Sequence, residues 1–187
     1  MELNARLESQ IRFLVELDKL KSIFRQTVLI DRSRNENTAE HSWQLATAVT
    51  VLSEYAASRV DLARALRMAL VHDVVEIDAG DTFVYDTAAS STKSERECAA
   101  AERIFGILPE EQATEYRALW EEFEAKQSPE ARFVNALDRL LPMLQNSYSG
   151  GYSWRKHGIR RAQVNERNRA VADESPELWS HAMRLLD

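Results

Sequence analysis

The chain of 187 residues carries 24 basic and 30 acidic side chains, and its net charge of −6 argues against sequence-independent binding to DNA or RNA, which relies on neutralising phosphates. Its single cysteine, Cys98, excludes an internal disulfide and indicates a reducing cytoplasm, and no apolar run is long enough to suggest a membrane span. The length and the 44% content of apolar residues suit one domain over residues 1–187.

Helical periodicity organises the first part of the chain. Apolar residues recur at helical spacing from Glu2 to about Lys21 and predict an amphipathic helix. Residues 24–37 are polar and arginine-rich and are predicted to form a loop. Thr38 is predicted to cap a second helix, which carries His41 in its first turn. The apolar stripe of the first helix consists of Leu3, Leu7, Ile11, Leu14 and Leu17.

A third predicted helix ends in an acidic stretch that contains a His-Asp pair. The helix delivers His72 and Asp73 at its C-terminal end, and Glu76 would share a helical face with both. Gly80 permits a sharp exit that can turn Asp81 back toward the same point. Crowded carboxylates beside an imidazole repel one another, and a bound cation would relieve that repulsion. The alternative interpretation of the pair by itself is a solvated acidic helix end that precedes a loop.

Helices are also predicted throughout the second half of the chain, after a loop over residues 82–92. They are Lys93–Phe105, a helix opened by Pro109, a helix begun by Ser128-Pro129, Asn165–Ala172 and Ser175–Leu186. No stretch shows sustained strand alternation, and no linker divides the chain. The pattern therefore predicts an all-α fold, with the C-terminal helices of residues 158–187 in the same domain.

Asp138 borders the apolar stripe of the helix that Ser128 begins, and a carboxylate next to a buried face needs a partner. That partner is either an arginine such as Arg139 or a metal ion. Pro142 lies four residues further on and cannot donate a hydrogen bond to the carbonyl of Asp138, so a kink is expected there.

Four of these residues match, in order and in helical context, a known pattern. His41, the His72-Asp73 pair and Asp138 resemble the H…HD…D pattern of the HD-domain metal-dependent phosphohydrolases. The segment 35–42 is similar to the E-x-x-x-E/D-H-S segment of the 5′-deoxynucleotidase-like branch, and the segment 72–81 to its HD-x-x-E-x-x-x-GD segment. The resemblance runs from about residue 7 to residue 150. It implies a single HD-domain helical bundle with a metal site between its central helices.

The resemblance implies that one divalent metal ion binds between these helices. Its ligands would be His41, His72, Asp73 and Asp138. Two imidazoles and two carboxylates suit Mn, Co, Fe or Zn, and suit Mg less well. Such an ion makes hydroxide available at neutral pH.

The resemblance also assigns roles around the ion. Glu76 would orient or deprotonate the attacking water, and Asp81 would assist it or protonate the leaving alkoxide and would face the sugar. An arginine ahead of the first histidine of the pattern would hold the phosphate. Arg25 is the candidate, and Arg32 and Arg34 are the alternatives.

These roles imply a phosphomonoesterase that acts on (deoxy)nucleoside 5′-monophosphates, prefers deoxyribose and discriminates little among bases. Gln26-Thr27 stands where the bacterial nucleotidases have Trp-Pro. The resemblance therefore supports the metal chemistry more directly than it supports the identity of the substrate. Two alternatives remain open: another HD-type hydrolase, such as a phosphodiesterase or a nucleoside polyphosphate hydrolase, and a non-catalytic metal-bound interaction module. A homodimer is expected by analogy, with Trp154 and Trp179 as candidate interface residues.

Overall fold

A computed structural model describes residues 2–82, 85 and 92–186. The predicted loop over 82–92 lies mostly outside these residues. The described helices are α1 (Glu2–Leu17), α2 (Thr38–Val51), α3 (Leu62–Val71), α4 (Glu76–Ala79), α5 (Lys93–Phe105), α6 (Glu110–Ala125), α7 (Pro129–Tyr148), α8 (Tyr152–Lys156), α9 (Arg161–Arg167), α10 (Arg169–Glu174) and α11 (Pro176–Arg184). This composition confirms the all-α prediction. No helix in the described part of the chain combines the length and apolarity that a membrane span requires.

The loop predicted over residues 24–37 is wrong, because this segment forms a small antiparallel hairpin. Its strands are β1 (Phe24–Val28) and β2 (Asn35–Asn37). The strands are short and polar, so they lack the apolar alternation that identifies a strand in sequence. Hydrogen bonds between the two sides of the hairpin hold the strands together. The Thr38 amide donates to the Ile23 carbonyl at 3.0 Å, and the Asn35 side-chain amide donates to the Arg25 carbonyl at 2.5 Å.

The cap of α2 is Asn37, not Thr38. The Asn37 side chain accepts a hydrogen bond from the Glu40 amide at 2.9 Å, and the Glu40 carboxylate accepts one from the Asn37 amide at 3.2 Å. This reciprocal pair is a capping box, which satisfies two of the amides left free at a helix start. Thr38 therefore becomes the first helical residue, and its hydroxyl is available for a contact elsewhere.

Helices α2, α3 and α7 pack against one another at the centre of the bundle. The main apolar cluster includes Leu45 of α2, Met68 of α3 and Leu137 of α7. A second cluster, which includes Phe13 of α1 and Phe105 of α5, lies against the turn that follows α3. The central helices thus fix the positions of the residues that they carry at their ends and on their facing sides.

The ends of the chain differ in part from the predicted pattern. α1 stops at Leu17, and its Phe13 is buried whereas Leu7, Ile11 and Leu14 are 55%, 50% and 61% exposed. The predicted helix over 165–172 is instead split between α9 and α10, and α8 had no counterpart in the prediction. α11 begins at the predicted cap, Ser175. α7 continues through Pro142 to its end.

Candidate metal centre

Three helices bring four candidate ligands together. His41 belongs to α2, His72 and Asp73 lie in the turn after α3, and Asp138 belongs to α7. His41 Nε2 lies 2.9 Å from Asp138 Oδ1, and His72 Nε2 lies 3.0 Å from Asp73 Oδ2. The distances from His41 Nε2 to Asp73 Oδ2 and from His72 Nε2 to Asp138 Oδ1 are both 3.9 Å. The four side chains, called the ligand cluster below, therefore surround one point.

Each histidine is oriented by a contact on the far side of its ring. His72 Nδ1 lies 2.9 Å from the carbonyl oxygen of Ala69. A carbonyl can only accept, so Nδ1 carries the proton and Nε2 of the neutral ring carries a lone pair. His41 Nδ1 lies 3.6 Å from Glu36 Oε2, a carboxylate pairing that is typical behind metal-binding histidines. Both Nε2 atoms consequently face the ligand cluster.

The chemistry of the cluster fits a divalent ion. His72 Nε2 is buried and makes no well-aligned hydrogen bond within the described residues, although Asp73 Oδ2 lies 3.0 Å away. The nitrogen thus lacks the linear partner that a buried polar atom needs. The ligand atoms of His41, His72 and Asp73 lie within 4.8 Å of one another, so one ion can reach all of them. An imidazole nitrogen lone pair that points to the same position as neighbouring carboxylate oxygens is an arrangement typical of metal ligands.

Neighbouring charges keep the two carboxylates of the cluster ionised. Burial acts to raise the pKa of Asp73, but His72, Arg25 and His41 hold it at about 2. Burial acts on Asp138 in the same direction, yet the hydrogen bond with His41 and the surrounding positive charges lower its pKa. Both carboxylates are therefore anionic at neutral pH, as metal ligation requires.

Arg25 reaches the ligand cluster from β1. Its Nη1 lies 2.9 Å from Asp73 Oδ2 and 3.8 Å from Asp81 Oδ1, and its Nε lies 3.5 Å from Glu36 Oε2. Burial acts to lower the pKa of Arg25, but attraction to Asp73 and the other nearby carboxylates raises it. The guanidinium is thus fixed beside the cluster and remains charged.

The other two arginines considered from sequence lie elsewhere. Arg34 pairs with Glu40 at the surface, with an Nη1 to Oε2 distance of 2.8 Å. Arg32 is exposed, and neither residue lines the cavity that opens on the cluster. Of the three, the structure brings only Arg25 to the site.

Glu76 and Asp81 lie beside the cluster without being part of it. Glu76 Oε2 accepts a hydrogen bond from the Thr38 hydroxyl at 2.8 Å, and burial together with the Asp73 charge raises its pKa well above the ordinary value. Asp81 follows Gly80, whose φ of +74° suits glycine. Burial, and then the Asp73 charge, raise the pKa of Asp81. Carboxyl groups that take up a proton more readily than usual suit proton transfer near neutral pH.

A cavity opens on the ligand cluster. Its wall includes Arg139, which the sequence suggested as a salt-bridge partner of Asp138. Arg139 lines the cavity and makes no hydrogen bond or ion pair with any residue described by the structure. The salt bridge considered between Asp138 and Arg139 is not formed, since Asp138 bonds His41. Adjacent residues on a helix diverge by about 100°, which separates the two side chains. The unpaired guanidinium is a candidate contact for an anionic substrate group.

The cavity continues to residues that no sequence motif marked. Asn146 of α7, Ser153 and Trp154 of α8, and Asn168 between α9 and α10 line it. Trp154 and Trp179, considered from sequence as interface residues, are partly buried against the main apolar cluster. Only the folding of α8 to α10 over α7 brings these residues to the cavity, so local patterns carry no signal for them.

Comparisons with known proteins agree with this geometry. The HD domain family model matches residues 17–179. The human protein named 5′-deoxynucleotidase HDDC2 is 34% identical over 140 residues, which cover 74% of this chain and 67% of that protein. The mouse protein of the same name is 34% identical over 138 residues, covering 73% and 68%.

A solved structure extends the likeness to nearly the whole chain. The crystal structure of a protein described as a predicted metal-dependent phosphohydrolase from Magnetospirillum magnetotacticum has a TM-score of 0.93 and 51% identity. The alignment covers 98% of this chain and 92% of that one. The chain therefore belongs to the HD-domain family of metal-dependent phosphohydrolases, in the branch that resembles the 5′-deoxynucleotidases.

Proposed function

We propose that this protein is a metal-dependent phosphomonoesterase that releases phosphate from (deoxy)nucleoside 5′-monophosphates. The observation that carries the proposal is a single cavity whose wall contains Asp73 and Asp138 of the ligand cluster, the carboxyl groups of Glu76 and Asp81, and arginine side chains. The names of the human and mouse relatives support the substrate class.

The metal site of the proposal consists of His41, His72, Asp73 and Asp138. A divalent ion bound there would supply Lewis acidity toward the phosphate and the attacking water. Two imidazole nitrogens and two carboxylates favour Mn, Co, Fe or Zn over Mg. His72 Nε2 is buried beside the Asp73 carboxylate without an aligned hydrogen bond to any described residue, and this supports the presence of an ion.

Glu76 and Asp81 are the proton-transfer groups of the proposal. Glu76, oriented by Thr38, accepts a proton from water as the water oxygen bonds to phosphorus. The bond from phosphorus to O5′ breaks, and Asp81 gives its proton to that oxygen. The raised pKa of each carboxyl group favours these transfers, since both groups can hold a proton closer to neutral pH than an ordinary carboxylate.

Two arginines would bind the phosphate. Arg25 lies beside Asp73, so a phosphate oxygen at the cluster would come within its reach. Arg139 lines the same cavity without a carboxylate partner among the described residues. This extra cation is also the one observation that favours the alternative of a nucleoside polyphosphate hydrolase or a phosphodiesterase, because such substrates carry more than one phosphate group or a bridged one.

We further propose that the protein is a homodimer that pairs through α1. Three apolar side chains of α1, Leu7, Ile11 and Leu14, are at least half exposed, and Val15 beside them is 67% exposed. Contiguous exposed apolar surface of this kind is typical of protein interfaces. This face replaces the C-terminal tryptophans as the interface candidate.

Phosphate release tests the proposed activity. Metal-reconstituted protein is assayed with dAMP, dUMP, AMP, dATP and a phosphodiester, with Glu76→Gln as the inactive control. The expected result is orthophosphate from the monophosphates, with kcat/KM for dAMP roughly 10 to 200-fold above that for AMP if Asp81 crowds the 2′-hydroxyl. Turnover of only dATP or the diester would establish the alternative hydrolase. Silence with every substrate would favour a non-catalytic metal-bound module.

A further inference from the structure

The carboxyl group of Asp81 follows a turn at the end of α4 that side-chain packing does not define. Gly80 ends α4 with a φ of +74° and a ψ of 153°. A Cβ atom at Gly80 would meet no heavy atom within 4 Å beyond its chain neighbours, so the space beside the turn is open. Glycine also has more backbone freedom than other residues. The position of Asp81 therefore depends on contacts made by the residues on either side of the turn.

Arg96 of α5 makes contacts on both sides of this turn. Its Nη1 donates to the Ala79 carbonyl, and its Nη2 donates to the Thr82 hydroxyl at 3.4 Å. A carbonyl in the last turn of a helix has no amide partner within that helix, so the first contact also completes the end of α4. The planar fork of an arginine can serve two acceptors at once. One guanidinium thus binds the chain before Gly80 and after Asp81.

The helix that carries Arg96 is itself firmly anchored. Ala101 and Ile104 of α5 are fully buried in the second apolar cluster. Val75 and Ala79, at the two ends of α4, belong to the same cluster. The two helices are therefore fixed relative to each other by packing, and Arg96 extends that support to the turn that follows.

The carboxyl group of Asp81 lies where a small displacement matters. It lines the cavity beside Asp73, and its Oδ1 lies 3.8 Å from Arg25 Nη1. A shift of about 1 Å in the position of a reacting group can cost about 100-fold in rate. Contacts that fix the backbone at Asp81 are therefore expected to affect the reaction even when they lie outside the cavity.

We propose that Arg96 is a positioning residue, which fixes the turn over Gly80 and so holds the Asp81 carboxyl group in the cavity. The inference rests on the proposed function, in which Asp81 protonates the leaving oxygen and crowds the 2′-hydroxyl of a ribonucleotide. Arg96 does not line the cavity wall formed by the described residues, and it acts through Asp81. Both turnover and sugar preference consequently depend on Arg96.

Steady-state kinetics test this dependence. Arg96→Met keeps the apolar stem and removes the donors, so kcat for dAMP should fall roughly 10- to 100-fold with little change in KM. The preference for dAMP over AMP should shrink toward equality, because a displaced Asp81 no longer crowds the 2′-hydroxyl. Arg96→Lys retains a donor at this position and should recover part of both effects.

Arg103→Met is the matched control for Arg96→Met. Arg103 also lies on α5 and pairs with α4, with its Nη2 2.8 Å from Asp78 Oδ1, but its contacts do not include the turn from Gly80 to Thr82. The pair is exposed and contributes little to stability. Arg103→Met should therefore leave kcat and the sugar preference unchanged. Equal effects of the two variants, or no effect of Arg96→Met, would overturn the proposal.

A double-mutant cycle tests whether Arg96 acts through Asp81. Asp81→Asn removes the proton donor and should itself lower kcat. Adding Arg96→Met to Asp81→Asn should lower kcat by less than about two-fold more, since the group that Arg96 positions has already been lost. A further loss as large as the one that Arg96→Met causes alone would show that Arg96 acts independently of Asp81 and would refute the positioning role.

Hydrogen exchange separates this inference from the proposed activity, because it needs no substrate. The Gly80 amide donates to the Glu76 carbonyl at 2.9 Å, so its exchange reports on the end of α4. Deuterium uptake in the peptide over residues 76–82 should rise in Arg96→Met and stay unchanged in Arg103→Met. That result without phosphate release from any substrate would support the role of Arg96 in the turn and refute the proposed hydrolysis. Unchanged uptake in Arg96→Met would overturn the role of Arg96, while hydrolysis of dAMP by the unaltered protein would still establish the activity.

Discussion

At the scale of single residues, His72 combines three properties that seldom occur together without a ligand. Its ring is buried, its tautomer is set by the Ala69 carbonyl, and its Nε2 faces carboxylates without an aligned hydrogen bond. The ring also packs edge-on against Phe123, with centroids 5.0 Å apart. The imidazole is thus held rigidly in the orientation that a metal ligand needs.

Removing a ligand should therefore remove the ion. His72→Ala and Asp73→Ala are each expected to lose bound metal and all turnover, and to melt at a lower temperature than the metal-loaded protein, because an ion that binds only the folded state stabilises it. Elemental analysis and thermal unfolding are the measurements. His181→Ala, an exposed histidine outside the cavity, is the control and should keep its metal. Full metal occupancy in both ligand variants would refute the assignment.

Glu76 differs from the ligands in its surroundings, and this difference can be measured. Its carboxyl group bonds Thr38, so Glu76→Gln should keep the metal and the fold. Turnover should fall roughly 10²- to 10⁴-fold, the usual effect of losing a general base. Metal content and kcat are measured on the same preparation. If metal and activity are lost together, Glu76 is a ligand and its role here is wrong.

At the scale of secondary-structure elements, the capping box of Asn37 and Glu40 connects the hairpin to the site. It begins α2 at Thr38, which places the Thr38 hydroxyl on Glu76 and His41 one turn further along the helix. The hairpin on the other side of this junction carries Arg25. A cap that ordinarily serves only helix stability thus positions groups on both sides of the candidate site.

Removal of this cap should affect both stability and catalysis. Asn37→Ala is expected to lower the free energy of unfolding by about 1 kcal/mol, the typical loss for a cap residue. It should also reduce kcat, because Thr38 and His41 lose their fixed start. Ser175→Ala removes the cap of α11, away from the cavity, and is the matched control. Denaturant unfolding and steady-state kinetics are compared for the two variants, and an equal loss of kcat in both would show that the Asn37 cap has no specific part in the site.

At the scale of the whole molecule, α1 has an apolar face that a single copy of the chain leaves exposed to solvent. Phe13 anchors α1 to the second apolar cluster, while Leu14 and Val15 face away from it at 61% and 67% exposure. A second copy of the chain that covers this face would bury it.

A charge on this face should prevent pairing. Leu14→Glu is expected to convert a dimer to a monomer, since a carboxylate in an apolar interface would be buried without a partner. Light scattering after size-exclusion chromatography measures the mass. Glu8→Gln, an exposed change on the same helix, should leave the mass unchanged. A monomer in the unaltered protein would refute the dimer.

The sequence by itself determined the helical fold, the family, and the residues that the structure gathers at the ligand cluster. Helical periodicity and capping depend only on residues close together in the chain. The order and helical context of His41, His72, Asp73 and Asp138 form a motif that can be recognised in the sequence. Only the tertiary structure decided that a hairpin delivers Arg25 to the site, that Arg139 lines the cavity without an ion pair to any described residue, and that Ser153 and Trp154 form part of the wall. The contacts of Arg25, Arg139 and this wall join segments far apart in sequence, and such contacts leave no periodic or motif signal in either segment alone. The capping box of Asn37 and Glu40 is local, by contrast, and its spacing of three residues is a signal that the sequence does contain.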